Sequence, residues 1–209
     1  MIHTRENPSP RYRALLALYE EMHEKGDVAG NLPPEQTFSG TSLAPHMPAV
    51  KSLIQRFGSR TLLDYGAGKG EGYALAFETM PDGSQRRGLR EIWGLAEVTL
   101  YDPGYKPHNK LPAGKFDAVI STDVLEHVPA EDVPWIMAEM FGYARQFVFM
   151  AMALYPSEKL LPTGDNAHVT VQSAGWWLDQ AAAAAAKWSS VRYFVAALPK
   201  AGRPILVEG

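Results

Sequence analysis

The stretch T-L-L-D-Y-G-A-G-K-G-E-G, residues 61–72, constrains this chain more than any other. Thr61, Leu62 and Leu63 form a short apolar run that reads as a buried strand, ending at Asp64. Gly66, Gly68, Gly70 and Gly72 alternate after it, and residues 73–79 read as a helix. Glycines in a strand-to-helix turn let the backbone adopt conformations that a side chain forbids, and let a ligand approach the main chain closely. The helix N-terminus is expected to offer unpaired N–H groups and the positive end of a dipole. Such a turn opens the ligand site of an open α/β sheet, where ligands lie beyond the carboxyl ends of the strands.

Two other glycine loops are excluded by spacing. A P-loop needs G-x-x-x-x-G-K-[ST], but Leu63 stands where its first glycine belongs, and Gly70 follows Lys69. A dinucleotide fingerprint needs G-x-G-x-x-G, and counted from Gly66 its last position is Glu71. A second strand, residues 98–101, ends at Asp102-Pro103-Gly104. An acidic residue there suits hydrogen bonding to ribose hydroxyls, while D-P-G is also a strong turn signal in its own right. A third strand, F-D-A-V-I-S-T from Phe116, runs into D-V-L-E-H-V-P.

Asp64-x-Gly66-x-Gly68-x-Gly70, Asp102 after the next strand, and V-L-E-H-V after the following one resemble the class I S-adenosylmethionine (SAM) dependent methyltransferases. The resemblance spans residues 54–209. It implies that Asp64 sits near the methionyl end of SAM, that Gly66, Gly68 and Gly70 pass under its ribose, that Asp102 holds the ribose hydroxyls, and that Ser121, Thr122 and Asp123 line the methionyl side. The fold it implies is α/β, a doubly wound and mostly parallel sheet closed by a C-terminal antiparallel hairpin of residues 191–197 and 204–207. Only the short loop 105–115 separates the second and third of these strands, so the third strand of the usual fold is expected to be reduced, and the adenine contact stays unassigned.

Elsewhere the pattern is helical. Tyr12, Leu15, Leu16, Tyr19 and Met22 recur at helical spacing over residues 11–25, with Gly26 as a stop. A loop, residues 30–46, leads to a helix over 47–57; a polar loop is expected over 80–88, helices over 129–144 and from Ser173, and a strand over 147–153. Residues 1–60 are read as a helical lid and 61–209 as the SAM-binding domain, within one compact domain, since 209 residues suffice for one full core.

A formal net charge of −3 gives no general attraction to nucleic acid, and the dispersed Arg86, Arg87, Arg90, Lys106, Lys110 and Lys115 read as a solvated face. No stretch is long and apolar enough for a membrane helix, and M-I-H-T-R-E-N lacks a signal peptide's apolar core, so a cytoplasmic protein is expected. The absence of cysteine removes thiolate nucleophiles, and with them the C5-pyrimidine methyltransferases. DNA amino-methyltransferases carry [DNS]-P-P-[YFW] where this chain reads S-T-D-V.

Methyl transfer from a sulfonium needs alignment and exclusion of water, with a base only where the nucleophile must lose a proton. Asp123, Glu126, His127, Tyr105 and His168 are the candidates, and on a helical turn Glu126 and His127 would share a face with Asp123. Glu126 and His127 either order the loop after the strand or, with His168, resemble the metal-holding set of the small-RNA 2′-O-methyltransferases. Imidazole and carboxylate suit a divalent ion, but Asp123 is a shorter ligand than the Glu of that family, and no metal is expected. The expected partner is a small-molecule acceptor methylated on oxygen or carbon, as V-L-E-H-V resembles the small-molecule branch. A ribose methyltransferase and a non-catalytic SAM-binding subunit are the other readings. Trp176 and Trp177 either stack on a flat ring or pack.

Overall fold

Side chains that alternate between two apolar clusters organise the molecule around a central sheet. The computed structural model describes residues 3–27, 30–80 and 83–209. The sheet contains β1 (Thr61–Tyr65), β4 (Glu97–Tyr101), β5 (Phe116–Thr122), β6 (Ala144–Ala153), β7 (Arg192–Leu198) and β8 (Ile205–Glu208) in the order β4-β1-β5-β6-β7-β8. The first five of these run parallel, and β8 closes the far edge antiparallel to β7. Central strands β5 and β6 are buried almost end to end, as expected where both faces are covered.

On one face Val119, Val148, Met150 and Met152 pack with α5 (Val133–Tyr143) and α6 (Ala174–Ala185). On the other, Ala118, Ile120, Phe147 and Phe149 meet α2 (Met47–Phe57) and α4 (Leu89–Ile92). The sheet therefore carries helices on both faces, with a C-terminal hairpin, as the sequence predicts. The short connection expected before β5 is also seen. Among the described residues only a single 3₁₀ turn, Lys106–His108, lies between β4 and β5, which leaves β4 at the sheet edge.

Several local expectations are corrected. The helix after the glycines, α3, is Glu71–Leu75 rather than 73–79. Ala76 turns extended, and Phe77–Thr79 becomes β2, paired antiparallel with β3 (Gln85–Arg87). The predicted polar loop 80–88 is thus the turn and second strand of a hairpin, and its Pro81 and Asp82 lie outside the described residues. The F-E-T tripeptide gains ladder partners across that turn, which outweighs the weak pull of a one-turn helix. Helix α5 begins at Val133 instead of residue 129, and β6 begins at Ala144.

The N-terminal segment divides. Helix α1 (Pro10–Lys25) and the loop through Ser42 lie over the carboxyl ends of the strands, whereas α2 belongs to the sheet's own layer, with Val50 and Ile54 buried. Residues 1–60 therefore do not form one unit, because the apolar face of α2 is consumed by the core.

Candidate functional site

A cleft of about 850 Å³, counted out to its open mouth, lies beyond the carboxyl ends of β1, β4 and β5. Strand order reverses here, β4 lying on one side of β1 and β5 on the other. Its floor is Tyr65 at the end of β1 with Gly66 and Gly68 of the turn that follows, Asp102, Pro103 and Gly104 after β4, and Thr122 at the end of β5 with Asp123 and Val124 after it. Its roof is Tyr12, Leu15, Leu16, Tyr19 and His23 of α1, with Phe38, Gly40 and Ser42.

The roof is pinned at both ends. The Ser9 hydroxyl caps α1 by accepting from Tyr12 N–H (3.0 Å), and Ser9 N–H donates to Asp132 Oδ1 (2.9 Å). The Arg5 guanidinium donates to Glu139 and to the hydroxyls of Tyr65 (2.9 Å) and Tyr101 (3.1 Å). At the other end His23 Nδ1 lies 3.2 Å from Lys69 Nζ, and the His23 ring stacks on Tyr105 at 4.9 Å.

The glycine turn folds onto β4: Gly66 N–H and Ala67 N–H both donate to Tyr101 O (2.7 and 3.1 Å). Gly66 and Gly68 have φ of 88° and 56°, in the left-handed region, and a Cβ on Gly68 would stand 2.3 Å from Phe38 O. The chain's own roof takes up backbone donors that a phosphate would need. Lys69 N–H donates to Phe38 O, and Glu71 N–H to Ser39 O (2.9 Å each), while Gly70 N–H reaches Ala67 O (3.0 Å). The expectation of unpaired N–H groups at the start of α3 is thereby overturned for these residues.

Asp102 is held in place by the same turn. Its Oδ2 accepts from Gly68 N–H (2.8 Å) and its Oδ1 from Gly104 N–H (2.9 Å). Burial raises its pKa above the ordinary carboxylate value, and these two donors oppose the rise. A carboxylate has about four lone-pair sites, so acceptor capacity remains toward the cleft.

The other acidic candidates are separated. Asp64 is not among the lining residues; its Oδ2 accepts from the Tyr73 hydroxyl (2.8 Å) and its Oδ1 has no partner among the described residues. Burial, with the charge of Asp102 adding, pushes Asp64 up to about 7. Gly70 faces Leu100, and Ser121 is buried with its hydroxyl unpartnered among the described residues; neither lines the cleft. Thr122 and Asp123 do, and Asp123 adopts φ 55°, unusual for a side-chain-bearing residue.

That left-handed residue breaks the predicted shared face. Beyond it comes only a 3₁₀ turn, Leu125–His127. Glu126 points into the interior, fully buried, where Oε1 accepts from Ala153 N–H (2.7 Å) and Oε2 is unpartnered among the described residues. Burial first, then Asp123, pushes Glu126 up to about 8. His127 faces the cleft; its Nδ1 lies 2.9 Å from Ala167 O, to which Tyr19 also donates (3.0 Å). Burial pushes His127 down to about 3, so the neutral ring donates from Nδ1. His168 stands edge-on to it at 4.9 Å, with Nδ1 2.6 Å from Tyr155 O. Among the described residues no group of three or more His, Cys, Asp or Glu is disposed to hold a metal ion.

Trp177 is buried on the inner face of α6 and Trp176 packs against the same cluster, so neither reaches the cleft to stack on a ligand. His23 and Ile136 are lining residues that the sequence did not single out. For His23 the signal was present: it follows Met22 on the helix whose Tyr12, Leu15, Leu16 and Tyr19 form the apolar stripe, and that stripe faces the cleft. Among the described residues no helix is long and apolar enough to cross a membrane. The chain matches no protein-family model, no curated protein and no solved structure.

Proposed function

We propose that this protein is a SAM-dependent methyltransferase acting on a small molecule, with SAM held at the turn after β1. The observation that carries this reading is the pairing of Asp102 with the glycine turn at the point where strand order reverses, inside a cleft whose backbone donors are already spent. Lys69 and Glu71 give their N–H groups to the roof, which leaves a polyphosphate cofactor little to bind.

Charge favours the same ligand class. The described lining contains Asp102 and Asp123 and no lysine or arginine. Asp64 and Glu126 lie just behind it, and all four carboxyls are pushed upward by burial. A ligand carrying positive charge relieves that strain, and SAM carries a sulfonium and an ammonium; NAD and ATP add negative charge.

In this reading Gly66 and Gly68 underlie the ribose, Asp102 takes its hydroxyls, and Thr122 and Asp123 border the methionyl side. Asp64 contributes as a buried carboxyl held by Tyr73, without touching the ligand. SAM supplies an activated methyl group. The protein's part is to orient the acceptor under the apolar roof of Tyr12, Leu15, Leu16 and Tyr19 and to exclude water. His127, neutral and fixed by donating from Nδ1 to Ala167 O, lines the cleft, where its ring helps to orient the acceptor.

Calorimetry tests the assignment. SAM and S-adenosylhomocysteine should bind, NAD and ATP should not, and methyl incorporation should appear in a metabolite extract. Asp102→Ala should cost about 1–3 kcal/mol of SAM affinity. NAD binding tighter than SAM would sink the reading.

A further inference from the structure

We infer that His23, on the roof helix, is a ribose-reading residue that works as a pair with Asp102; the inference rests on the SAM reading above. Its carrier is a gap. His23 Nε2 and Asp102 Oδ1 are 4.0 Å apart, too far for a direct hydrogen bond, and both residues line the cleft. One hydroxyl oxygen at ordinary hydrogen-bond distance, about 2.8 Å, can touch both atoms at once.

The chemistry of the gap is set by the neighbours of His23. Lys69 Nζ, 3.2 Å from Nδ1, is a donor with no acceptor capacity, so Nδ1 must accept and the ring proton sits on Nε2. Nε2–H is therefore a donor turned toward a carboxylate that can only accept. A hydroxyl is the group that satisfies both, accepting from Nε2–H and donating to Oδ1. A keto oxygen fails the carboxylate, and an ammonium fails the imidazole.

The ring has little freedom to do otherwise. It is buried, stacked on Tyr105 at 4.9 Å and 28°, and packed against Phe38 at 5.1 Å. Lys69 is itself fixed by donating to Thr37 O at 2.7 Å. Burial, with Lys69 and His108 adding, brings His23 down to about 4, so it is neutral under ordinary conditions and keeps this tautomer. The roof thus does more than cover the cleft: it supplies half of the hydroxyl-reading pair, and ribose recognition depends on α1 being seated.

The test uses S-adenosylhomocysteine and its 2′-deoxy and 3′-deoxy analogues as probes, with dissociation constants from calorimetry and thermal midpoints to establish folding. The wild-type protein should bind one of the two deoxy analogues roughly tenfold more weakly than S-adenosylhomocysteine. His23→Ala should bind S-adenosylhomocysteine about tenfold more weakly and lose most of that discrimination, because the hydroxyl no longer has its donor. His23→Gln, which keeps a side-chain donor and more of the volume, should recover part of both, and it carries the test alone if His23→Ala fails to fold. Unchanged affinity in the folded variants, or full discrimination retained, would overturn the role of His23 while leaving the SAM reading intact. Failure of the wild-type protein to bind S-adenosylhomocysteine would overturn both.

Discussion

Glu126 is the residue for which burial decides between the two roles the sequence left open. Its carboxyl sits fully buried where the sequence offered it to the cleft, and it receives Ala153 N–H while its own carbonyl receives Thr170 N–H (3.0 Å). It ties the end of β6 to the segment before α6, which is the loop-ordering role. A folded-state value of about 8, above the ordinary 4.5, means that the folded protein binds more protons than the unfolded chain between those limits. Its contribution to stability is then fully present below about 4.5 and is lost as pH rises through about 8. Glu126→Gln keeps an acceptor for Ala153 and removes the ionisation. The variant should therefore gain on the wild type as pH rises from 6 to 9, by about 1–3 kcal/mol at the alkaline end. Denaturant midpoints across that range measure it, and parallel curves for the two proteins would contradict it.

At the scale of elements, the roof and the glycine turn behave as one unit. Phe38 O and Ser39 O receive N–H groups from Lys69 and Glu71, and there is no room between them for a side chain on Gly68. Gly68→Ala should cost about 1–2 kcal/mol from the left-handed backbone alone, and the added methyl must also push the roof away. Hydrogen exchange reads this directly: amides of α1 should exchange faster in the variant while those of β5 and β6 keep their protection. Equal protection of α1 in both proteins would show that the roof is held by its other anchors, at Arg5, Ser9 and His23, without the glycine turn.

For the molecule as a whole, the sheet and the helices on its two faces set stability, and the cleft draws on that rigidity. Trp177 is completely buried among Phe141, Val148, Met150 and Val195, the largest side chain so enclosed. Trp177→Ala should cost about 3–5 kcal/mol in urea unfolding, through lost transfer energy and the cavity left behind. Because Trp177 lies away from the cleft, affinity for S-adenosylhomocysteine should stay within about twofold of the wild type while the variant remains folded. A large loss of affinity with little loss of stability would place the tryptophan in ligand binding after all.

The sequence alone determined what depends on neighbours along the chain. The strand before Asp64, the glycine turn, the acidic turn at Asp102, the short connection before Phe116 and the closing hairpin all follow from local periodicity and from residues that tolerate special backbone angles. The tertiary structure decided what each group meets across the chain. Phe38 reaches the glycine turn from some thirty residues upstream, and His23 meets Lys69 and approaches Asp102 from the roof helix. Asp64 is closed off by Tyr73, and the left-handed turn at Asp123 sends Glu126 inward and His127 outward. Spacing names the residues that carry chemistry, but burial and partners are set by contacts between separate elements, and those fix which charges, tautomers and donors face the ligand.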